Sequence, residues 1–202
     1  MTGKRFAIIA PLLLAYHLMM IYRKLLLFVL CVLGSLSGVQ PAQATDWKDN
    51  LLDQDRCLTL YRVSSKENTN FCYWRKGLGY DKAGYAKANW ILRDVTYRTQ
   101  VPMDPKLLDT LFIIQQWLIL EGRSGEIRIL SGYRTPENNK RTKGSARLSQ
   151  HMNGTAADIH VPGVSTKLLG AMSRIIGVGG VGIYIEKNSV HVDTARVRVW
   201  AG

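Results

Sequence analysis

The chain has 202 residues, 47% of them hydrophobic and 21% charged, with a formal net charge of +12 at pH 7. That length and balance fit one ordinary globular domain with a sizeable core and exclude a large multidomain assembly. The basic surplus points toward an anionic partner, whether cell wall, an acidic membrane surface or nucleic acid, or it confers solubility alone.

From Phe6 to Val39 the chain is almost wholly apolar, broken by His17 and by Arg23-Lys24, and contains no acid. It falls into two blocks, Phe6–Tyr22 and Leu25–Val39, each preceded by a basic pair. The second block is short for a spanning helix and runs into Ala42-Gln43-Ala44, which has the small-x-small form of a signal-peptidase site. Residues 1–44 are therefore expected to be a secretory signal cleaved after Ala44, with Met19 or Met20 as an alternative start. An uncleaved membrane anchor is the other reading. Export places the remainder in the periplasm and ranks nucleic acid last among anionic partners. Without residues 1–44, 23 basic residues face 15 acidic ones, a formal +8. Cys31 falls inside the signal; Cys57 and Cys72 remain, either as a disulfide closing a hairpin in an oxidising compartment or as two buried thiols.

Residues 45–55 read as a polar lead-in to a domain spanning 56–202. Leu58–Val63 and Phe71–Trp74 are β-prone runs around a turn-rich Ser64–Asn70, which predicts a hairpin. Lys76–Gly79 breaks the second strand, and Tyr85–Arg93 reads as a short helix with its aromatic positions inward. Asp104-Pro105 predicts a helix start, because the carboxylate accepts backbone N–H bonds and proline tolerates the first helical position. Apolar residues from Leu107 to Leu118 at three- and four-residue spacing make it the main buried helix, ending before Gly122. Ile127–Leu130 follows as a strand. The stretch from Ser131 through the basic, polar run Lys140–Ser149 reads as a long loop, functional or mobile. Ala156–Val161 is a strand, Ser165 caps a helix, and Ser189–Asp193 and Val197–Trp200 are the last strands. The glycines between Gly177 and Gly182 lack the context and the lysine of a phosphate-binding loop and are expected to let backbone pack beneath Ile183-Tyr184. Strands and helices mixed without βαβ alternation predict a small α+β domain with a largely antiparallel sheet flanked by helices.

Four histidines occur in the chain, and His151 lies seven residues before Asp158 in Ser149–Asp158. Gly154 between them is expected to turn the loop back so that both side chains converge. His191 and Asp193 alternate along one strand and so share a face. An imidazole, a carboxylate and a second imidazole form a three-ligand set suited to zinc with a position open for water. His160 shares a face with Asp158 and stands either near the metal or at a solvent-exposed strand end.

Three ordered motifs carry a resemblance. Ser131-Gly132-Tyr133-Arg134, Ser149-x-His151-x-x-Gly154-x-Ala156-x-Asp158 and His191-x-Asp193-Thr194, followed by Arg196-Val197-Arg198-x-Trp200, resemble the zinc peptidases of the lysostaphin, D-Ala-D-Ala metallopeptidase and hedgehog-like superfamily. Within it they resemble the MepK-type murein endopeptidases, from about Arg56 to the end. The resemblance implies zinc on His151, Asp158 and His191 and hydrolysis of peptidoglycan cross-links. A monomer that meets the membrane only through its N-terminal segment is expected. Arg134 is then expected to donate to a substrate carboxylate or to the developing oxyanion. Relatives often place a Glu or His three residues before the last ligand; Asn188 stands there and cannot act as a base. Asp193 is the first choice for that role and Glu186 the second, with Asp193 as an orienting partner of a histidine ligand as the alternative. A D-Ala-D-Ala-type carboxypeptidase and a non-catalytic wall-binding module with a structural metal are the competing functions.

Overall fold

A computed structural model describes residues 47–177 and 179–202. The signal or anchor expected over residues 1–44 lies outside them, and no helix among the described residues is long and apolar enough to cross a membrane.

The lead-in carries a short helix, α1 (Trp47–Leu52), whose Trp47 meets Trp117 edge to face with ring centroids 5.9 Å apart. The predicted hairpin forms from β1 (Arg56–Arg62) and β2 (Glu67–Arg75), with β2 reaching further back into the polar run than the sequence suggested. Cys57 and Cys72 are paired across it and form a disulfide. After β3 (Gly79–Tyr80) comes α2 (Lys82–Ile91), capped by Asp81, whose carboxylate accepts from the Gly84 N–H at 2.9 Å. The expected inward orientation of its aromatics is corrected in part. Trp90 is 46% exposed, lies under the Arg93 guanidinium and donates its indole N–H to Glu67 at the start of β2, whereas Tyr85 is half-buried and donates to the Met103 carbonyl.

Helix α3 (Pro105–Leu120) begins as predicted, with the Asp104 carboxylate accepting from the Lys106 N–H at 2.9 Å. Its Leu107, Leu108, Leu111, Phe112, Ile114 and Leu118 are buried in the core. Buried Gln115 takes over where β1 runs past its neighbour, accepting from the Thr59 N–H at 2.7 Å and donating to the Cys57 carbonyl at 2.8 Å. Backbone groups left without a strand partner are thereby satisfied. Then follow β4 (Ile127–Ser131), a short helix α4 (Pro136–Arg141), a 3-10 turn (Gln150–Asn153), β5 (Ala156–His160), α5 (Thr166–Ile176), β6 (Gly180–Tyr184), β7 (Ser189–Asp193) and β8 (Arg198–Ala201).

The strands form one sheet in the order β3-β2-β1-β4-β5-β7-β6-β8, antiparallel except for β1 with β4 and β6 with β8. The fold is thus α+β with a largely antiparallel sheet. Alternation gives the sheet two unlike faces. Leu58, Leu60, Ile127, Ile129, Ala157, Ile159, Val190 and Val192 are buried in one core with α3 and α5. Tyr61, Arg128, Asp158, His160, His191 and Trp200 occupy the alternate positions. The candidate site lies on that second face.

The end of the glycine-rich stretch, from Gly180, opens strand β6, and its close approaches differ from the expected one. Gly182 lies under the Trp200 indole, and Gly179 under the Asp193 carbonyl. The residue that packs against Ile183 is Gly170 of α5.

Buried Asp94 ties the end of α2 to the segment that opens the site. It accepts from the Thr135 N–H at 2.8 Å, the Thr135 hydroxyl at 2.9 Å and the Asn138 amide at 3.0 Å, and from the N–H groups of Thr96 and Tyr97. Burial pushes its carboxyl up, but these bonds outweigh it and hold the group below the usual range. A carboxyl depressed in the folded state contributes stability above its unfolded value of about 3.9, and that stability is lost as pH falls through the lower folded value. Asp94→Asn is therefore expected to cost about 1–3 kcal/mol near neutral pH. The deficit should narrow below about pH 4, as read by urea unfolding at a series of pH values; a deficit independent of pH would contradict the assignment.

Candidate metal centre

Each part of the site is delivered by a local device. At the end of β4 the pairing with β5 slips between Ile129 and Ser131, so that Ser131 stands opposite Asp158. A bulge of this kind re-aims a side chain that strict alternation would send into the core. Gly132 follows with its backbone pressed on Leu92: a Cβ there would stand 2.2 Å from the Leu92 carbonyl oxygen. Arg134 then turns back, its Nε donating to Ser131 Oγ at 2.8 Å and its Nη2 to Asp158 Oδ2 at 2.5 Å.

His151 is carried by the 3-10 turn, which Ser149 caps and Gly154 ends in the left-handed conformation at φ +70°. Gly154 performs the turn expected of it, and a side chain there would press on the Pro102 carbonyl and Val101. Its own carbonyl accepts from the Asp104 N–H at 2.9 Å, while Thr194 donates to the Asp104 carboxylate at 2.6 Å. The N-terminus of α3 thus braces both the turn that carries His151 and the end of β7.

Asp158 and His191 are direct cross-strand partners on β5 and β7. His151 Nε2 lies 3.2 Å from Asp158 Oδ1 and 3.2 Å from His191 Nδ1, and His191 Nδ1 lies 3.0 Å from Asp158 Oδ1. The other ring nitrogens fix the tautomers. His151 Nδ1 is 2.6 Å from the Gly132 carbonyl, which only accepts, so Nδ1 carries the proton. His191 Nε2 is 2.9 Å from Asp193 Oδ2, so in the neutral ring that nitrogen carries the proton. Three lone-pair atoms therefore face one another across about 3 Å, an arrangement that asks for a cation between them. Tetrahedral zinc with N and O ligands spaces its donors about 3.3 Å apart, close to the observed separations. Burial depresses the His151 imidazole, outweighing Asp158. Burial also opposes charging of His191, but Asp158 and Asp193 prevail and raise it. Burial raises Asp158 as well, yet the two histidines hold it far below the usual carboxylate range.

Asp193 lies on the side of the His191 ring away from Asp158. It is buried, and both of its oxygens are engaged: Oδ1 accepts from the N–H groups of Gly180 and Ala195, each at 3.0 Å, and from Arg198 at 3.1 Å, while Oδ2 accepts from Arg198 at 2.7 Å as well as from His191. These partners overcome the effect of burial and hold its carboxyl low. Glu186 is exposed in the turn between β6 and β7. Asn188 sits in the same turn at φ +46° and accepts from Thr166, tying the turn to α5. His160 is half-buried opposite Arg128, and the three converging residues are His151, Asp158 and His191 without it. Trp200 stands beside the cluster, 5.3 Å from the His191 ring, with its indole N–H donating to Tyr184 at 2.8 Å. Ser131, the Gly132 carbonyl and Arg198 received no role from sequence, although all three lie within the motifs quoted for the resemblance.

Residues 51–200 match the family model described as peptidoglycan L,D-endopeptidase MepK. The chain belongs to that family. Among MepK relatives, the peptidoglycan L,D-endopeptidase of Escherichia coli strain K12 is 32% identical over 182 residues, which span 88% of this chain and 96% of the relative. The probable MepK of Haemophilus influenzae Rd is 34% identical over 128 residues, covering 61% of this chain and 68% of the relative. No solved structure matches the chain significantly. In MepK terms, the matched span takes in every residue of the cluster just described.

Proposed function

We propose that this chain is an exported, zinc-dependent peptidoglycan endopeptidase that cuts L,D bonds in stem-peptide cross-links, holding zinc on His151 Nε2, Asp158 Oδ1 and His191 Nδ1. The observation that carries the reading is the convergence of three lone-pair atoms at 3.0–3.2 Å, with each imidazole locked by a partner on its far nitrogen. Zinc bound there would supply a Lewis acid that polarises a carbonyl and lowers the pKa of water to about 7.

The chain's own residues prepare that site. The Gly132 carbonyl and Asp193 hold the two imidazoles in the tautomers that leave a lone pair for metal. Arg134 fixes Asp158 through Oδ2, so Oδ1 is the oxygen left to face the histidines, and its Nη1 remains to meet a substrate carbonyl or carboxylate. Asp193 is a positioning residue in this reading, since both of its oxygens are taken up and it stands behind His191. Periplasmic location and action as a monomer belong to the same proposal. The family is one of endopeptidases, which favours this reading over a carboxypeptidase or a non-catalytic wall-binding module.

Asp193→Asn separates positioning from proton transfer. An amide presents N–H to His191 Nε2 or loses the bond, so the ring is free to turn its proton toward the metal side. Zinc affinity is expected to fall about 10–100-fold, with turnover restored by excess zinc. Unchanged zinc affinity with turnover lost would make Asp193 the base after all. The proposal as a whole is tested by chelation: the full-length protein should carry about one zinc, lose release of soluble peptides from murein when it is removed, and regain it on zinc addition. Hydrolysis that persists without metal would refute it.

A further inference from the structure

The segment from Thr135 to Ser149 joins the two sides of the metal centre. It starts at the N-cap of α4, next to Arg134, and ends at the N-cap of the turn that carries His151. Lys140, Arg141, Lys143 and Arg147 lie within it, against a single acid, Glu137. All four cations are exposed, and none has a carboxylate partner among the described residues.

Their backbone is nonetheless pinned. Asn139 donates to the Ala146 carbonyl at 2.9 Å, Ser145 to the Asn139 carbonyl at 2.6 Å and Thr142 to the Asn138 carbonyl at 2.8 Å, while Asp94 anchors the start of the segment. A fixed scaffold therefore presents four like charges to solvent at the border of the candidate active site. Such a cluster repels itself, offset only weakly by the 3.5 Å bond from Arg141 to the Tyr97 hydroxyl; what it does is concentrate a polyanion locally. Peptidoglycan stem peptides carry free carboxylates repeated along an extended network, so one rim can meet several of them at once, which an isolated peptide fragment does not offer.

We propose that Lys140–Arg147 is a docking rim for the anionic stem peptides of intact peptidoglycan. This inference rests on the murein reading above, but its test does not depend on hydrolysis. Full-length His151→Ala protein is sedimented with murein sacculi at a series of salt concentrations, with and without the added substitutions Lys140→Gln, Arg141→Gln, Lys143→Gln and Arg147→Gln. Binding by the His151→Ala protein should weaken as salt rises. The four glutamines should weaken it about tenfold at low salt, the combined scale of several exposed ion pairs, and flatten the salt dependence. Should the fourfold variant fail to fold, Lys143→Gln with Arg147→Gln is expected to give about a threefold loss. In the catalytically intact background the same substitutions should raise the KM for sacculi more than they lower kcat. Equal sacculus binding and equal salt dependence with and without the four cations would overturn the proposal. So would loss of binding to phosphatidylglycerol vesicles with sacculus binding unchanged, which would assign the rim to a membrane surface.

Discussion

Replacing His151 by alanine is expected to abolish zinc binding and turnover together. The substitution removes one of the three proposed donors, and it also removes the imidazole N–H that the Gly132 carbonyl accepts at 2.6 Å. Without the imidazole, Asp158 and His191 remain as a two-donor site that cannot exclude water or fix a coordination number. The Lewis-acid contribution is worth several kcal/mol, so turnover should drop by about a thousandfold or more. Stability should change far less, by about 1–3 kcal/mol for the carbonyl left unpaired. Equilibrium dialysis with zinc and a murein release assay, run on the same preparation, check both halves. Retained zinc with lost turnover would move His151 out of the ligand set and into a catalytic role.

The second large effect is expected at a residue with no side chain. Gly132→Ala would place a Cβ 2.2 Å from the Leu92 carbonyl oxygen and 2.9 Å from its carbon, both backbone atoms that cannot swing aside. The strand end must move, and with it the Tyr133 N–H bond to Leu92 at 2.7 Å and the carbonyl that orients His151. Overpacking of this kind costs about 1–3 kcal/mol. Displacement of an orienting group by about an ångström costs roughly a hundredfold in rate. Thermal unfolding and the murein assay should therefore both show the change. An alanine variant with unaltered melting and turnover would mean that β4 and the Leu92 turn are more compliant than their contacts indicate.

The sequence carried the convergence of the proposed ligands further than their chemistry. His151 and Asp158 were legible because Gly154 sits between them at a place where only a reversal of the chain lets both converge. His191 and Asp193 were legible as a pair because strand alternation puts them on one face. Alternation says nothing about which ring nitrogen meets which carboxylate, so a base role for Asp193 was as readable as an orienting one. The partners on its two oxygens, contributed by Gly180, Ala195 and Arg198, are what favour the orienting role proposed above. Arg134 was singled out, but its bond to Asp158 depends on the β4 bulge, which leaves no trace in composition.

The same contrast holds for the fold. Helix α3 announced itself through Asp104-Pro105 and a long apolar period. Helix α4 escaped notice although Thr135-Pro136 has the form of a cap with proline behind it, because six polar residues have no apolar stripe to recognise. Strand β6 was hidden by glycines, which weaken strand propensity yet are required where Trp200 and Asp193 press on the backbone.

A muropeptide profile tests the central claim most directly. Sacculi are digested with the zinc-loaded full-length protein, and the products are resolved by mass spectrometry beside a chelated control. Loss of L,D-linked dimers with a matching rise in monomers, seen only with metal, is the predicted result. An unchanged cross-link pattern from zinc-loaded, folded protein would contradict it.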